Sequence, residues 1–161
     1  MKERGAGVGA FTTYKTDLKR FVADVRKRGG IPVLVTSMHR KSLDASGKVA
    51  NTLGDYPEAV RQVAREDNVP LIDLQAMSKS LYEALGPADI AKAFQDGTHH
   101  NAYGSYELAK CVVESLRQSK LDVAKFIVDD VPVFDPAKPD PADRFDIPAS
   151  SDGGSVKPEG N

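Results

Sequence analysis

One cysteine, Cys111, stands in a chain of 161 residues, so no intrachain disulfide can form. Cysteine usage therefore fixes no compartment. No apolar run approaches the about 18 residues that a membrane-crossing helix needs. The chain opens "MKERGAGVGAF", a charged start with no apolar stretch behind it, so no secretory leader is read there. Neither sign of charge dominates: 22 Lys and Arg stand against 23 Asp and Glu, a formal net charge of −1. No overall basic field suggests a nucleic-acid partner. Histidine is scarce as well, with three in all. Two of them, His99 and His100, are adjacent. Neighbouring side chains diverge, and no Cys or Glu lies nearby at ligand spacing, so a metal site is not expected.

What is present is unevenly distributed. Residues 129–161 hold six of the ten prolines, and eight acidic residues against three basic ones. Proline fixes φ and removes a donor, which excludes a helix or a central strand there. The segment reads as an acidic tail whose first part lies extended on the body, with Val131, Val133, Phe134 and Phe145 as anchors. Its last dozen residues have the composition of disorder.

The preceding body, residues 1–128, alternates in period. Tyr14, Leu18, Phe21, Val22 and Val25 recur at spacings of three and four, predicting a helix over 12–28 that ends at Gly29-Gly30. "IPVLVTS" is a continuous apolar run, expected as a parallel strand covered on both faces. Asp55 and Pro57 predict the cap and first turn of a second helix, with Val60, Val63 and Ala64 inward. "VPLIDL" reads as a second buried strand. Helices follow over 74–85 and 87–94, then over 102–118 with Leu108, Cys111, Val112 and Leu116 inward, and a short one over 121–128. Helices alternating with buried strands indicate a doubly wound α/β sheet. Two strands make a thin sheet, since most sheets have about five or six. The chain reads as the second half of such a domain, with a sheet edge left uncovered through which copies would self-associate.

Between the last two long helices lies "FQDGTHHNAYGSYELAK". Asp96 and His99 are three apart in a turn that Gly97 allows to close tightly. A carboxylate at that spacing reaches the imidazole Nδ1, fixes the tautomer and leaves Nε2 free as a base. The same residues also suit a turn former and a helix cap. His39, in "SMHRKSLD" after the first strand, is expected as a solvated loop residue, although that end of a strand is where α/β folds hold ligands.

"DGTHHNAYGSYELAK" resembles the last conserved block of the SGNH, or GDSL-type, hydrolases. "TYKTDLKRFVADVRKRGGIPVLVTSM" and "LGDYPEAVRQVAREDNVPLIDLQAMSKSLYEALG" resemble the matching parts of the rhamnogalacturonan acetylesterase-like members. The resemblance covers roughly residues 7–130. It implies a flavodoxin-like three-layer sandwich and a Ser-His-Asp triad in which Asp96 orients His99 and His99 is the general base. It implies no cofactor. For a full-length parent it implies an acetylated pectic polysaccharide as substrate and a secreted or periplasmic location. The family's Gly-Asp-Ser motif, the glycine after its second strand and its Gly-x-Asn-Asp block have no counterpart in this sequence. Ser37, Ser42, Ser46, Ser78 and Ser80 stand in the wrong places to replace that serine. The chain is thus expected to be the C-terminal part of such an esterase, inactive alone. The alternative is a non-catalytic carbohydrate-binding or structural half-domain.

Overall fold

The computed structural model describes residues 9–119 and 121–145, which form a mixed α/β body with a two-stranded parallel sheet. A π-helical turn, Ala10–Tyr14, leads into α1, Lys15–Lys27. Leu18 and Val22 of α1 meet Val63, Val69 and Leu34 in a small satellite core. Phe21 and Val25, expected on the same buried stripe, face solvent because they lie off that line of contact. The helix ends where Gly29 takes φ 76°, a left-handed conformation that glycine adopts without a Cβ clash.

Strand β1 is Leu34–Val35 and β2 is Leu71–Ile72, in register Leu34↔Leu71 and Val35↔Ile72. Both are shorter than the apolar runs that contain them. The expectation that both faces are covered fails for the first run. Ile31 is 71% exposed and Val35 47%. Among the described residues β1 has one neighbouring strand, so nothing extends the ladder or covers those side chains.

Helix α2, Tyr56–Glu66, buries Ala59, Val60, Val63 and Ala64 and carries Pro57 in its first turn, as expected. Asp55 does not cap it through its side chain: its backbone is already helical (φ −89°, ψ −3°), and its carbonyl accepts the Ala59 amide instead. Helix α3, Leu74–Asp89, is capped by Asp73, whose carboxylate accepts the Ala76 amide. Gly86 at φ 66°, followed by Pro87, breaks it where the sequence predicts a boundary between two helices. A 3-10 turn, Ile90–Ala93, follows. Helix α4, Ala102–Gln118, matches its predicted span. The predicted helix over 121–128 is instead a 3-10 turn, Asp122–Phe126, that buries nothing, so no packing sustains a longer helix.

The main core joins α3, the turn after it, and α4 through Leu81, Tyr82, Ala93, Phe94, Tyr103 and Cys111. The described part of the tail is clasped onto α4. Phe134 enters the core and its amide donates to Glu114. Arg117 donates to the Val131 carbonyl, and Tyr103 to that of Asp140. Lys110 lies 2.6 Å from Glu107 and 2.7 Å from Asp140. Phe145 packs edge-on against Tyr103. Of the expected anchors, Val133 fails and points outward. The final dozen residues lie outside the described part of the chain.

Candidate functional site

The turn at Asp96 is built from both ends. On one side Phe94 pairs with His100 in an antiparallel bridge, and the Gln95 amide donates to the His99 carbonyl. On the other, Asn101 does two jobs. Its Oδ1 accepts the Gly104 amide and caps α4, and its Nδ2 donates to the Lys92 carbonyl. The start of α4 also lies directly on the 3-10 turn: a Cβ built on Gly104 would stand 2.0 Å from the Ala93 carbonyl oxygen. Only glycine permits that approach. The segment after β1 closes the third side, with the Lys41 amide donating to the Gly97 carbonyl at 3.1 Å.

Within this frame Asp96 and His99 meet. The carboxylate Oδ1 accepts the Thr98 and His99 amides at 2.6 and 2.7 Å, and Oδ2 lies 2.7 Å from His99 Nδ1. The ring contact, then the two amides, hold the Asp96 carboxyl well below the usual carboxylate range. The His99 side chain is 75% exposed. No donor or acceptor among the described residues occupies its Nε2. An ionised carboxylate at Nδ1 makes that nitrogen the donor and leaves Nε2 with its lone pair outward. The arrangement can take a proton from a hydroxyl presented at Nε2, and its carboxylate stabilises the imidazolium that results.

The other two histidines are structural in placement. His100 turns inward, 4.2 Å from the Phe94 ring centre and stacked on Tyr82, with its Nε2 2.6 Å from the Tyr82 hydroxyl. Burial lowers its pKa, and so does neighbouring His99. His39, expected in solvent, is 6% exposed. Its amide donates to Ser78 Oγ, while its Nδ1 is buried without a partner. Burial, then Lys79 and Arg61, lower its pKa, against Glu83 and Asp73. Beside it, at the C-terminal ends of both strands, Arg61 grips Asp73 through two nitrogens at 2.8 and 3.0 Å. Thr36 joins them by donating to Asp73 and accepting the Gln75 amide. Sequence reasoning missed this cluster, because its members are polar residues scattered through apolar runs. Asn101 was findable, since an Asn directly before an amphipathic stretch is a cap signal.

Among the described residues no group of three His, Cys, Asp or Glu side chains is arranged to hold a metal ion. No described helix is long and apolar enough to cross a membrane.

No protein-family model matches the sequence. Two curated proteins of Bacillus subtilis (strain 168) do. Rhamnogalacturonan acetylesterase RhgT is 33% identical over 141 residues, covering 78% of this chain and 61% of that protein. YesY, named a probable rhamnogalacturonan acetylesterase, is 32% identical over 124 residues, covering 73% of this chain and 57% of that protein. The chain thus spans about three fifths of the length of the curated relatives it matches. Among solved structures, protein YxiM of Bacillus subtilis shares the fold, with a TM-score of 0.63 at 22% identity over 68% of this chain and 32% of that one. On these comparisons the chain is similar in sequence to rhamnogalacturonan acetylesterases over about three quarters of its length, and it shares its α/β architecture with YxiM.

Proposed function

We propose that this chain supplies the Asp-His part of a Ser-His-Asp triad in a carbohydrate esterase that removes acetyl groups from a pectic polysaccharide. The observation that carries the reading is the 2.7 Å contact of Asp96 with His99 Nδ1, beside an open Nε2. In this reading residues 1–128 form a partial hydrolase domain, and residues 129–161 an acidic proline-rich tail. The nucleophilic serine and the oxyanion donors come from an N-terminal portion, since the chain contains neither Gly-Asp-Ser nor Gly-x-Asn-Asp.

The chemistry is acyl transfer. His99 Nε2 takes the serine proton as the oxygen attacks the acetyl carbonyl. Asp96 steadies the imidazolium, which returns the proton to the departing sugar hydroxyl as the C–O bond breaks. Water then attacks the acetyl-serine with His99 again as base, releasing acetate and restoring the serine. Asp96 acts through orientation and charge and keeps no proton itself.

The chain alone should hydrolyse p-nitrophenyl acetate no faster than free imidazole. Adding an N-terminal half taken from a relative, with serine, glycine and asparagine motifs, should restore turnover. By analogy with measured serine hydrolases, His99→Ala should then lower kcat by about a million-fold and Asp96→Asn by about ten-thousand-fold. Reconstituted activity that survives His99→Ala would sink the assignment. A folded complex with no activity at all would favour a non-catalytic half-domain.

A further inference from the structure

Among the described residues, hydrogen bonds tie the Asp96–His99 turn to three neighbouring elements. The Lys41 amide, after β1, donates to the Gly97 carbonyl at 3.1 Å. Asn101 Nδ2 donates to the Lys92 carbonyl in the 3-10 turn, while its Oδ1 caps α4. The third tie runs through His100, whose Nε2 lies 2.6 Å from the hydroxyl of Tyr82 on α3. A rigid turn held at two points can still tilt about the line that joins them, and a third point off that line stops it. The His99 side chain adds no such tie: its ring meets Asp96 inside the turn, and it is 75% exposed.

The third tie costs more than packing requires. Tyr82 is fully buried. Phenylalanine would fill that core position without desolvating a hydroxyl. The hydroxyl has one hydrogen-bond partner among the described residues, His100. Burial raises the Tyr82 pKa and lowers that of His100, so the phenol keeps its proton and the imidazole stays neutral. Tyr82 therefore donates, and His100 accepts at Nε2. Phe94, edge-on to Tyr82 with 5.3 Å between ring centres, also packs on the His100 ring. A buried side chain of α3 thus reaches the residue directly after the candidate base.

We propose that Tyr82 and His100 are positioning residues for His99: their hydrogen bond fixes the tilt of the turn, and so the direction in which His99 Nε2 points. The inference rests on the esterase reading for what His99 does. A general base owes much of its effect to being held at the right distance and angle to the hydroxyl it deprotonates. Tyr82 and His100 act on that geometry alone and take no part in the proton transfers.

Two measurements separate positioning from packing. Tyr82→Phe keeps the ring and removes the hydroxyl. In the full chain, hydrogen exchange of the Lys41 and Gln95 amides, which hold the turn at Gly97 and His99, should quicken severalfold in this variant, while amides in the middle of α3 and α4 keep their wild-type rates. Unchanged exchange at Lys41 and Gln95, or an equal change at every amide, would overturn the proposal. In the complex reconstituted with an N-terminal half, Tyr82→Phe should lower kcat about tenfold and leave KM unchanged. His100→Phe should lower kcat likewise and also lower the melting temperature, because it strands the Tyr82 hydroxyl. The double variant Tyr82→Phe, His100→Phe removes both polar partners, so its melting temperature should recover toward wild type while kcat stays low. A kcat that recovers with the melting temperature would overturn the proposal, since the pair would then serve packing alone. A wild-type complex without turnover, beside the expected exchange pattern, would refute the esterase reading alone.

Discussion

Asp96 receives three donors inside its own turn, and the identity of the third sets what His99 can do. In Asp96→Asn the amide oxygen can still accept the two backbone amides, which leaves an NH₂ facing His99 Nδ1. That nitrogen must then accept, and the proton moves to Nε2. Nitrogen-15 NMR of the neutral ring should therefore report an unprotonated Nε2 in the wild-type chain and a protonated one in the variant. An identical tautomer in both would show that the carboxylate does not control the ring. His100 answers to a different constraint. Burial lowers its pKa from the ordinary 6.5, as it does that of His39. A depressed folded-state value means that the unfolded chain takes up protons first. Stability is full above about pH 6.5 and falls as pH drops below it. Thermal melts between pH 7.5 and 5.5 should show this loss, and His100→Phe should flatten it. His100→Ala at pH 7.5 should cost about 1–3 kcal/mol, because it leaves the Tyr82 hydroxyl buried without its partner. The Asp96–His99 pairing was legible from spacing because it is local. The burial of His39 was not, since the groups that enclose it, on α3 and beyond, arrive from distant sequence.

The long helices were the legible elements, since α2 and α4 carry apolar residues at intervals of three and four that the packing uses. The strands were overread. A run such as "IPVLVTS" records which residues tolerate an extended conformation, but strand length depends on how many neighbours offer a ladder. Buried Glu107 and Glu114 were invisible for a related reason. They look like ordinary exposed positions of α4 until the tail, from 20 and 33 residues away, brings the Phe134 and Asp140 amides to them. At the start of α4 the contact between Gly104 and the Ala93 carbonyl leaves no space. Gly104→Ala should raise the intrinsic helix propensity and still destabilise the fold by about 1–3 kcal/mol or more, since backbone must move to admit the methyl group. Urea titration should show a lower midpoint. Because that helix end also carries the Asn101 cap, the His99 amide should lose hydrogen-exchange protection in the variant. A midpoint equal to wild type would mean that the two elements are not held together by this contact.

Among the described residues, a well-packed α3–α4 half joins a thin sheet in which Val35 of β1, and Ile31 and Val33 just before that strand, face solvent. Unpaired backbone beside exposed β-branched side chains is a template for further pairing. The chain should therefore elute on size exclusion as a concentration-dependent associating species, and Val35→Lys should shift it toward monomer. A monodisperse monomer at all concentrations for both forms would contradict this. The α/β class and the order of elements were readable from the alternation of periods, whereas the tail's grip on α4 was not, because proline-rich sequence says little about where a chain rests. The two halves also differ in how far apart in sequence their contacts lie. Joining β1 to β2 brings residue 34 to residue 71, with α2 between them. The Asp96–His99 turn closes over three residues, and apart from the Lys41 amide on the Gly97 carbonyl its frame runs from Lys92 to Gly104. Loop closure is entropically cheaper the shorter the loop, and local contacts form fastest. During refolding the acid-base turn and the start of α4 should thus be in place before the sheet is zipped, so that the sheet is assembled against an already formed turn.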